Sequence, residues 1–333
     1  SYKTFLTSTP SWINEKLRVV KTIKKKLKYK KNILFIEHHM AHAASAFLVS
    51  PFKKAAILTI DGVGEWTTTT IGLGENEEII LIKEIRFPHS IGLLYSTITA
   101  YLGFKVNNDE YKVMGLAPYG NMDKNSNLYY KKLRSLIDIK EDGSYNLDMG
   151  YFVYHYKDKM PSKKLCKLLN GKIRKNEEIN QRHKDIAAAL QLLTEEVIFK
   201  ILNYIYKITK CDNIVLAGGV ALNSVCNGKI LRNTPFKNIW IQPNSSDGGT
   251  SLGVASYIYN VVLGNKRNFE LEDAYLGPGF SNDEIKKFLD SNKIKYFEFK
   301  DKKELIEKTA DLIFKDNVVG WFQGRMEWGP RAL

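Results

Sequence analysis

An α/β fold is predicted for this 333-residue chain, on three observations. Short apolar runs rich in Ile, Val and Thr recur at strand length. In the second half they alternate with segments whose apolar residues fall three or four apart, the helical spacing. Several runs also end in Gly-containing turns, as strands do where they hand over to a helix. At this length two domains are expected, or one large α/β unit with an appendage.

Taken in order, Ile13, Leu17, Val20, Ile23 and Leu27 fit one side of an amphipathic helix whose outer face carries lysine. The run Asn32–Ile36 then leads into EHHMAHAASAF, residues 37–47. Three strands are predicted next, Ala55–Ile60, Thr67–Leu73 and Ile79–Ile85, with turns at Gly62-Val63-Gly64 and Gly74-Glu75-Asn76. A helix follows over about Ile91–Leu102. The stretch from Gly120 to Glu178 is polar and has no strong periodicity. The clearest helix is His183–Lys207, with Ile186, Leu190, Leu193, Val197, Ile201 and Ile205 at helical spacing. After it come a strand at Asn213–Leu216, the turn Ala217-Gly218-Gly219, and a short helix at Ser224–Leu231. A strand at Asn238–Ile241, the loop Gln242–Gly249 and a helix at Thr250–Val262 complete the pattern. Three meandering strands followed by helix–strand–helix–strand–helix resemble one half of an actin/sugar-kinase-like nucleotide-binding fold, whose first half is here incomplete. Residues 264–272 read as a linker. A second α/β unit is predicted from about Tyr275, with helices at Asp283–Asn292 and Lys303–Phe314 and a strand at Val318–Phe322.

Composition excludes some classes. The apolar share of 44% allows a sizeable core. No stretch approaches about 20 uninterrupted apolar residues, so no membrane span is expected. The opening SYKTFLTSTP lacks the basic start and apolar centre of a secretory signal. Cys166, Cys211 and Cys226 are odd in number and far apart, which fits a reduced cytoplasm. Part of the +14 charge lies in KTIKKKLKYKK, residues 21–31, where seven of eleven residues are lysine. Such a face can bind nucleic acid. Without aromatic–basic interleaving or a known binding motif, a solvated surface is the preferred reading.

Chemistry first suggests itself at the histidines. Three of the six, His38, His39 and His42, fall within five positions. If the segment is helical, His38 and His42 lie one turn apart on one face, as two ligands of one metal would, and His39 points elsewhere. Helices also carry such pairs by accident. Asp61 ends a predicted strand and Asp247 lies between a strand and a helix; in open α/β sheets such ends gather at one crevice. Singly, each aspartate reads as a turn former or helix cap. Together with the two histidines they suit a borderline metal such as Fe²⁺, Mn²⁺ or Zn²⁺. The glycines of Gly218-Gly219, Asp61-Gly62-Val63-Gly64 and Gly248-Gly249 would let backbone amides approach a phosphate closely.

EHHMAHAASAF, LTIDGVGEWTTTT, FPHSIGLLYSTITAYLGF, DEYKVMGLAPYG, LAGGVALNSVCNGKI, QPNSSDGGTSLGVA and GRMEWGPRAL follow one another as they do in the O-carbamoyltransferase family. The chain resembles that family along nearly its whole length. The family acts on nodulation factors, cephalosporins and aminoglycosides. The resemblance implies an actin-like transfer domain over residues 1–265, related to the enzymes that make threonylcarbamoyl-adenosine in tRNA. It also implies that residues 273–333 begin a YrdC-like domain that forms carbamoyl-adenylate. His38, His42, Asp61 and Asp247 are then the ligands of a divalent metal, Fe²⁺ first, with Mn²⁺ and Zn²⁺ as alternatives. Asn223 of GGVALN would hold the nucleotide ribose, with Gly218 and Gly219 beside it and Gly62, Gly64 and Gly248 in the same nucleotide site. Glu110 and Lys112 would line that pocket. Arg325 and Arg331, by charge and motif, would bind an anion such as carbamoyl phosphate.

The implied reaction has two steps. ATP and carbamoyl phosphate, with Mg²⁺, give carbamoyl-adenylate, and the carbamoyl group then passes to a hydroxyl of a small-molecule or sugar acceptor. His39 and His89 are the candidate bases, though such histidines are more often structural. Family members usually begin with an earlier strand and continue past GPRAL, so the chain reads as a fragment. No membrane or nucleic-acid partner is expected, and a homodimer is left open. Three other readings compete. A threonylcarbamoyl transferase acting on tRNA is favoured by the positive charge. A sugar kinase or ATPase of the same superfold leaves His38 and His42 unexplained. A truncated domain would bind nucleotide and metal without turnover.

Overall fold

The strands that build the first half of the chain are β1 (Lys54–Gly64), β2 (Thr67–Glu75) and β3 (Glu78–Arg86). They are followed by a small hairpin, β4 (Ile137–Ile139) and β5 (Tyr145–Leu147), and then by β6 (Asn213–Ala217) and β7 (Asn238–Ile241). In the computed structural model, which describes residues 9–10, 12–14, 16–157 and 159–330, five of these form one sheet in the order β3-β2-β1-β6-β7. The meander β1–β3 is antiparallel, while β6 and β7 join β1 in parallel. Parallel strands covered on both faces read as continuous apolar runs, and Ala55–Ile60 in β1 is buried throughout.

The helices cover both faces of the sheet, except the first, none of whose residues is buried. They are α1 (Val19–Leu27), α2 (His38–Phe47), α3 (Ile91–Tyr101), α4 (Glu110–Leu116), α5 (Gln181–Thr209) and α6 (Thr250–Ser256). Alternate β1 residues serve different layers. Ile57 joins Ala43, Phe47 and Val215 on the α2 side. Leu58 and Ile60 join Leu94, Ile98, Ile186, Leu190 and Leu216 on the α3 and α5 side. The long α5 opens with a capping box in which Asn180 and His183 exchange hydrogen bonds.

Several expectations need correction. The polar stretch 120–178 is structured: it forms two short helices, Leu128–Arg134 and Lys163–Leu168, besides the β4–β5 hairpin. It buries Leu133, Tyr145, Leu147, Phe152 and Leu165 in the main core. Elements of three to seven residues are too short to display a period. The helix expected at Ser224–Leu231 is two separate turns, Ser224–Asn227 and Ile230–Asn233, and α6 runs on as a π-helical segment, Tyr257–Val262.

The expected linker is also fixed in place. Arg267 donates all five of its guanidinium N–H groups to backbone carbonyls. Nε reaches Leu48, Nη1 reaches Phe52 and Asn76, and Nη2 reaches Phe47 and Ser50. The same guanidinium stacks on the Phe47 ring at 4.6 Å. Residues up to Leu271 belong to the first of two compact units, the second being Glu272–Leu333.

That second unit contains α7 (Asn282–Ser291) and α8 (Lys302–Phe314). Backbone bonds tie Gly277 and Pro278 to Met326, and Ala274 to Trp328. The strand expected at Val318–Phe322 is absent, and Val318 is fully exposed. A strand needs a partner to satisfy its backbone, and the described part of this unit has no other strand. No helix among the described residues is long and apolar enough to cross a membrane.

Candidate metal centre

The centre is assembled where β1 ends. Regular pairing of β1 with β2 breaks between Ile60 and Gly64: Ile60 faces Thr69 and Gly64 faces Thr67. Residues 61–63 are thus accommodated opposite Thr68 alone, a bulge that re-aims the side chains it carries. Asp61 is the first of them. Its Oδ1 accepts hydrogen bonds from the N–H groups of Gly62 (2.8 Å) and Gly219 (3.2 Å). This leaves Oδ2 to face the first turns of α2.

There it meets the two histidines that are one turn apart. Asp61 Oδ2 lies 2.9 Å from His38 Nε2 and 3.2 Å from His42 Nε2, and the two Nε2 atoms are 3.0 Å apart. Asp247 Oδ1, from the loop after β7, lies 3.6 Å from both. The four donor atoms fall within 4.8 Å of one another. Donors held about 2.1 Å from a common first-row ion stand about 3.0 Å apart at octahedral angles and about 3.4 Å apart at tetrahedral ones. The trio of His38, His42 and Asp61 matches the octahedral spacing, and two imidazoles with a carboxylate on one side leave other positions open. The residues fit a divalent metal. One detail departs from the usual pattern: His42 Nδ1 is buried with no hydrogen-bond partner among the described residues, where a ligating histidine commonly donates its other N–H.

The electrostatics agree with a cluster awaiting positive charge. Burial works to raise Asp61, yet the hydrogen bonds from His38 and His42 outweigh it and hold the carboxyl well below the usual range. Burial pushes His42 down, but the carboxylates of Asp247 and Asp61 more than compensate and its pKa is raised.

Glycines shape the pocket from within. A β-carbon at Gly64 would lie 2.0 Å from His38 Cδ2, so the ring seats directly on that position. Gly218 has φ +93°, and a β-carbon there would strike the Ile60 carbonyl at 2.2 Å. Its N–H donates to the Ser245 carbonyl, which ties the turn to the loop carrying Asp247. Gly248 lies against the Asn244 side chain. The glycines expected at a nucleotide, Gly62, Gly64, Gly218 and Gly219, are engaged within the protein itself. The N–H groups of Gly62 and Gly219 hold Asp61, that of Gly218 holds Ser245, and Gly64 makes room for His38.

The remaining expected residues are placed as follows. His39 is buried, with Nδ1 2.6 Å from Thr59 Oγ1 and Nε2 2.9 Å from the Thr67 carbonyl. Since the carbonyl can only accept, the proton sits on Nε2. Burial first, and His42 second, push this ring down to about 4. His89 accepts at Nδ1 from the Leu147 N–H, so its neutral form carries its proton at Nε2, and burial lowers its pKa. Both histidines are thus hydrogen-bonded within the protein, as structural histidines are. Asn223 is buried and turned inward, paired with Gln191 and capping the turn at Cys226 N. Glu110 accepts from Ser96 Oγ and Asn107 N, and Lys112 pairs with Asp109. Their helix, α4, reaches the 218–224 segment, with Met114 Sδ 3.7 Å from Ser224 Oγ. In the second unit, Arg325 donates to the carbonyls of Gly277 and Leu276. Arg331 lies outside the described residues.

Three contributors escaped the sequence reading. Ser90 caps α3 and donates to the Gly62 carbonyl at 2.6 Å. Gln191 and Glu195, both buried, sit four apart on α5. Gln191, enclosed by apolar residues on both sides in AAALQLL, was the available signal.

Residues 5–256 match the family described as carbamoyltransferase N-terminus. The chain is 44% identical to the uncharacterized protein sll1178 of Synechocystis, covering 99% of this chain and 55% of that protein. It is 34% identical to nodulation protein NolNO of Sinorhizobium fredii, covering 90% and 42% respectively. The figures for the uncharacterized protein MJ1058 of Methanocaldococcus jannaschii are 32% identity, 93% and 52%. The chain thus spans about half the length of these curated relatives. Among solved structures, T. kodakarensis HypF is similar at a TM-score of 0.37 and 15% identity, over 72% of this chain and 39% of that one. That likeness is too slight to bear on function. The family match and the identities over nine-tenths of the chain agree: this protein belongs to the carbamoyltransferase family, with residues 5–256 corresponding to its N-terminal region.

Proposed function

We propose that this chain is the transfer portion of an ATP-dependent O-carbamoyltransferase, acting through carbamoyl-adenylate on a hydroxyl of a small-molecule or sugar acceptor. One observation carries the reading: in a chain of the carbamoyltransferase family, His38, His42, Asp61 and Asp247 converge at the end of the central strand. The five-strand order and the antiparallel-then-parallel pattern support an actin/sugar-kinase-like half. Residues 273–333 would begin the YrdC-like domain, and the cytoplasm would be the compartment.

His38, His42, Asp61 and Asp247 would hold the divalent ion, with Fe²⁺ preferred over Mn²⁺ and Zn²⁺ for a two-histidine, two-carboxylate set. When bound, it would supply positive charge against the phosphate of the adenylate as AMP leaves. The chain's own groups prepare that event. Gly62 and Gly219 fix the Asp61 carboxylate, and Gly64 fixes the His38 ring. Asp247, with a side chain 74% exposed, is the solvent-facing member. The nucleotide would bind beyond the carboxyl ends of β1 and β6, beside the 218–224 segment and α4, where α/β sheets take ligands. Glu110 and Lys112 would line the rim of its site. Arg325 and Arg331 stand as the anion-binding candidates of the second unit.

The test uses the protein that carries this chain, with ATP, Mg²⁺, carbamoyl phosphate and a panel of hydroxyl acceptors. AMP and a carbamoylated acceptor are expected. If no AMP appears with any acceptor, the carbamoyl-adenylate reading is overturned.

A further inference from the structure

A buried polar chain runs from the surface of α5 to the turn that orients Asp61. Lys229 Nζ donates to Glu195 Oε1 at 2.7 Å. The same oxygen accepts from Gln191 Nε2 at 2.9 Å. Gln191 and Asn223 then face each other amide to amide. Gln191 Oε1 accepts from Asn223 Nδ2 at 2.9 Å, and Gln191 Nε2 reaches Asn223 Oδ1 at 3.1 Å. Asn223 Oδ1 also accepts from the Cys226 N–H at 3.0 Å.

Donor and acceptor chemistry makes this chain directional. A carboxylate paired with lysine can only accept, so Gln191 must present its NH₂ to Glu195. Its oxygen is then left for Asn223, whose NH₂ must turn toward it. Only in that orientation does Asn223 offer an oxygen to Cys226 N–H. Reversing either amide sets donor against donor in a buried site, which is costly. Glu195 therefore dictates the Asn223 rotamer two residues away along the chain of bonds.

Asn223 closes the turn Gly219–Leu222 through its own N–H to Val220. That turn gives Gly219 N–H to Asp61 Oδ1 and follows Gly218, whose N–H holds Ser245. Both carboxylates of the centre thus depend on one turn, and the turn on α5, which contributes no ligand.

We propose that Gln191 and Glu195 are positioning residues for the metal centre, acting through Asn223 on the Gly218–Gly219 turn. The inference rests on the metal reading above. Outer partners of this kind typically change metal affinity by about 10–100-fold.

The test is Co²⁺ titration of the chain, followed by its visible absorption, in wild type and four variants well below their melting temperatures. Gln191→Met should weaken Co²⁺ binding about tenfold or more and shift the ligand-field bands. Glu195→Met, a second route to the same loss should the first variant fold poorly, should do likewise. Glu195→Gln keeps an acceptor oxygen and should stay within about threefold of wild type. Leu202→Ala, a buried cavity further along α5, should lower stability while leaving affinity and spectrum alone. Wild-type affinity in both methionine variants overturns the inference, as does equal loss in Leu202→Ala, which would mark a role in fold stability only. If wild type itself takes up no Co²⁺, the metal reading falls and this inference with it. Binding by wild type and unaltered binding by both methionine variants leaves the metal reading standing and removes only the inference.

Discussion

The imidazole of His38 rests on Gly64, close enough that a β-carbon at position 64 would fall 2.0 Å from Cδ2 and 2.4 Å from Cγ. No rotamer adjustment of an alanine methyl relieves that overlap, because the β-carbon is fixed by the backbone. Gly64→Ala should therefore swing His38 away and weaken Co²⁺ or Mn²⁺ binding by about 10–100-fold, as loss of ligand support does elsewhere. Isothermal titration checks it, and an unchanged affinity would show that the ring has another seat.

The two aspartates should behave differently when removed. Asp61→Ala strips the acceptor from Gly62 and Gly219 N–H, costing about 1–3 kcal/mol of stability even without metal. Asp247 is largely exposed, and Asp247→Ala should leave the metal-free protein within about 0.5 kcal/mol of wild type. Both should lower metal affinity. Urea unfolding in the presence of chelator separates them, and equal destabilisation would contradict the assignment.

His39 predicts an acid-sensitive fold. Its pKa is pushed from 6.5 to about 4, by burial first and by His42 second. Between those values the unfolded chain binds a proton that the folded chain refuses. The histidine's contribution is thus complete above pH 6.5 and is lost as pH falls toward about 4, roughly 3 kcal/mol over the window. His39→Gln keeps a donor and an acceptor without the titration. Its denaturant midpoints at pH 7 and pH 4.5 should lie closer together than those of wild type; an equal drop in both would refute the attribution.

Arg267→Lys keeps the charge and loses the fork. Lysine offers three donors where five carbonyls now wait. A loss of about 2–4 kcal/mol is expected, with faster chymotryptic cleavage at the exposed Phe269. Cleavage at the wild-type rate would mean the strap is held by something other than this side chain.

The sequence announced long or strongly patterned elements well. β1 to β3 and α5 were legible because several residues of one period overlap. The segment around Tyr145 and Leu165 was not, since its apolar residues pack through tertiary contacts rather than along a repeating face. Val318–Phe322 shows the opposite error: strand-like composition does not make a strand without a partner. At the centre, the spacing of His38 and His42 was readable, and Asp61 and Asp247 were found by their positions at strand ends. The glycines carry an ambiguous signal. Close approach of one protein segment to another demands the same residue as close approach to a ligand, and nothing in the letters distinguishes Gly64 from a phosphate-binding glycine.

The bond from Gly219 to Asp61 joins groups 158 positions apart, whereas His38 and Asp61 are separated by only 23. Chains emerge from the ribosome N-terminus first, and distant contacts form after local ones. During synthesis, two imidazoles and a carboxylate are therefore present long before β6 arrives to orient that carboxylate. An ion captured early would meet loosely held donors; one captured late meets a finished cage. Tight loading of the centre would in this way have to wait for the closing of the sheet.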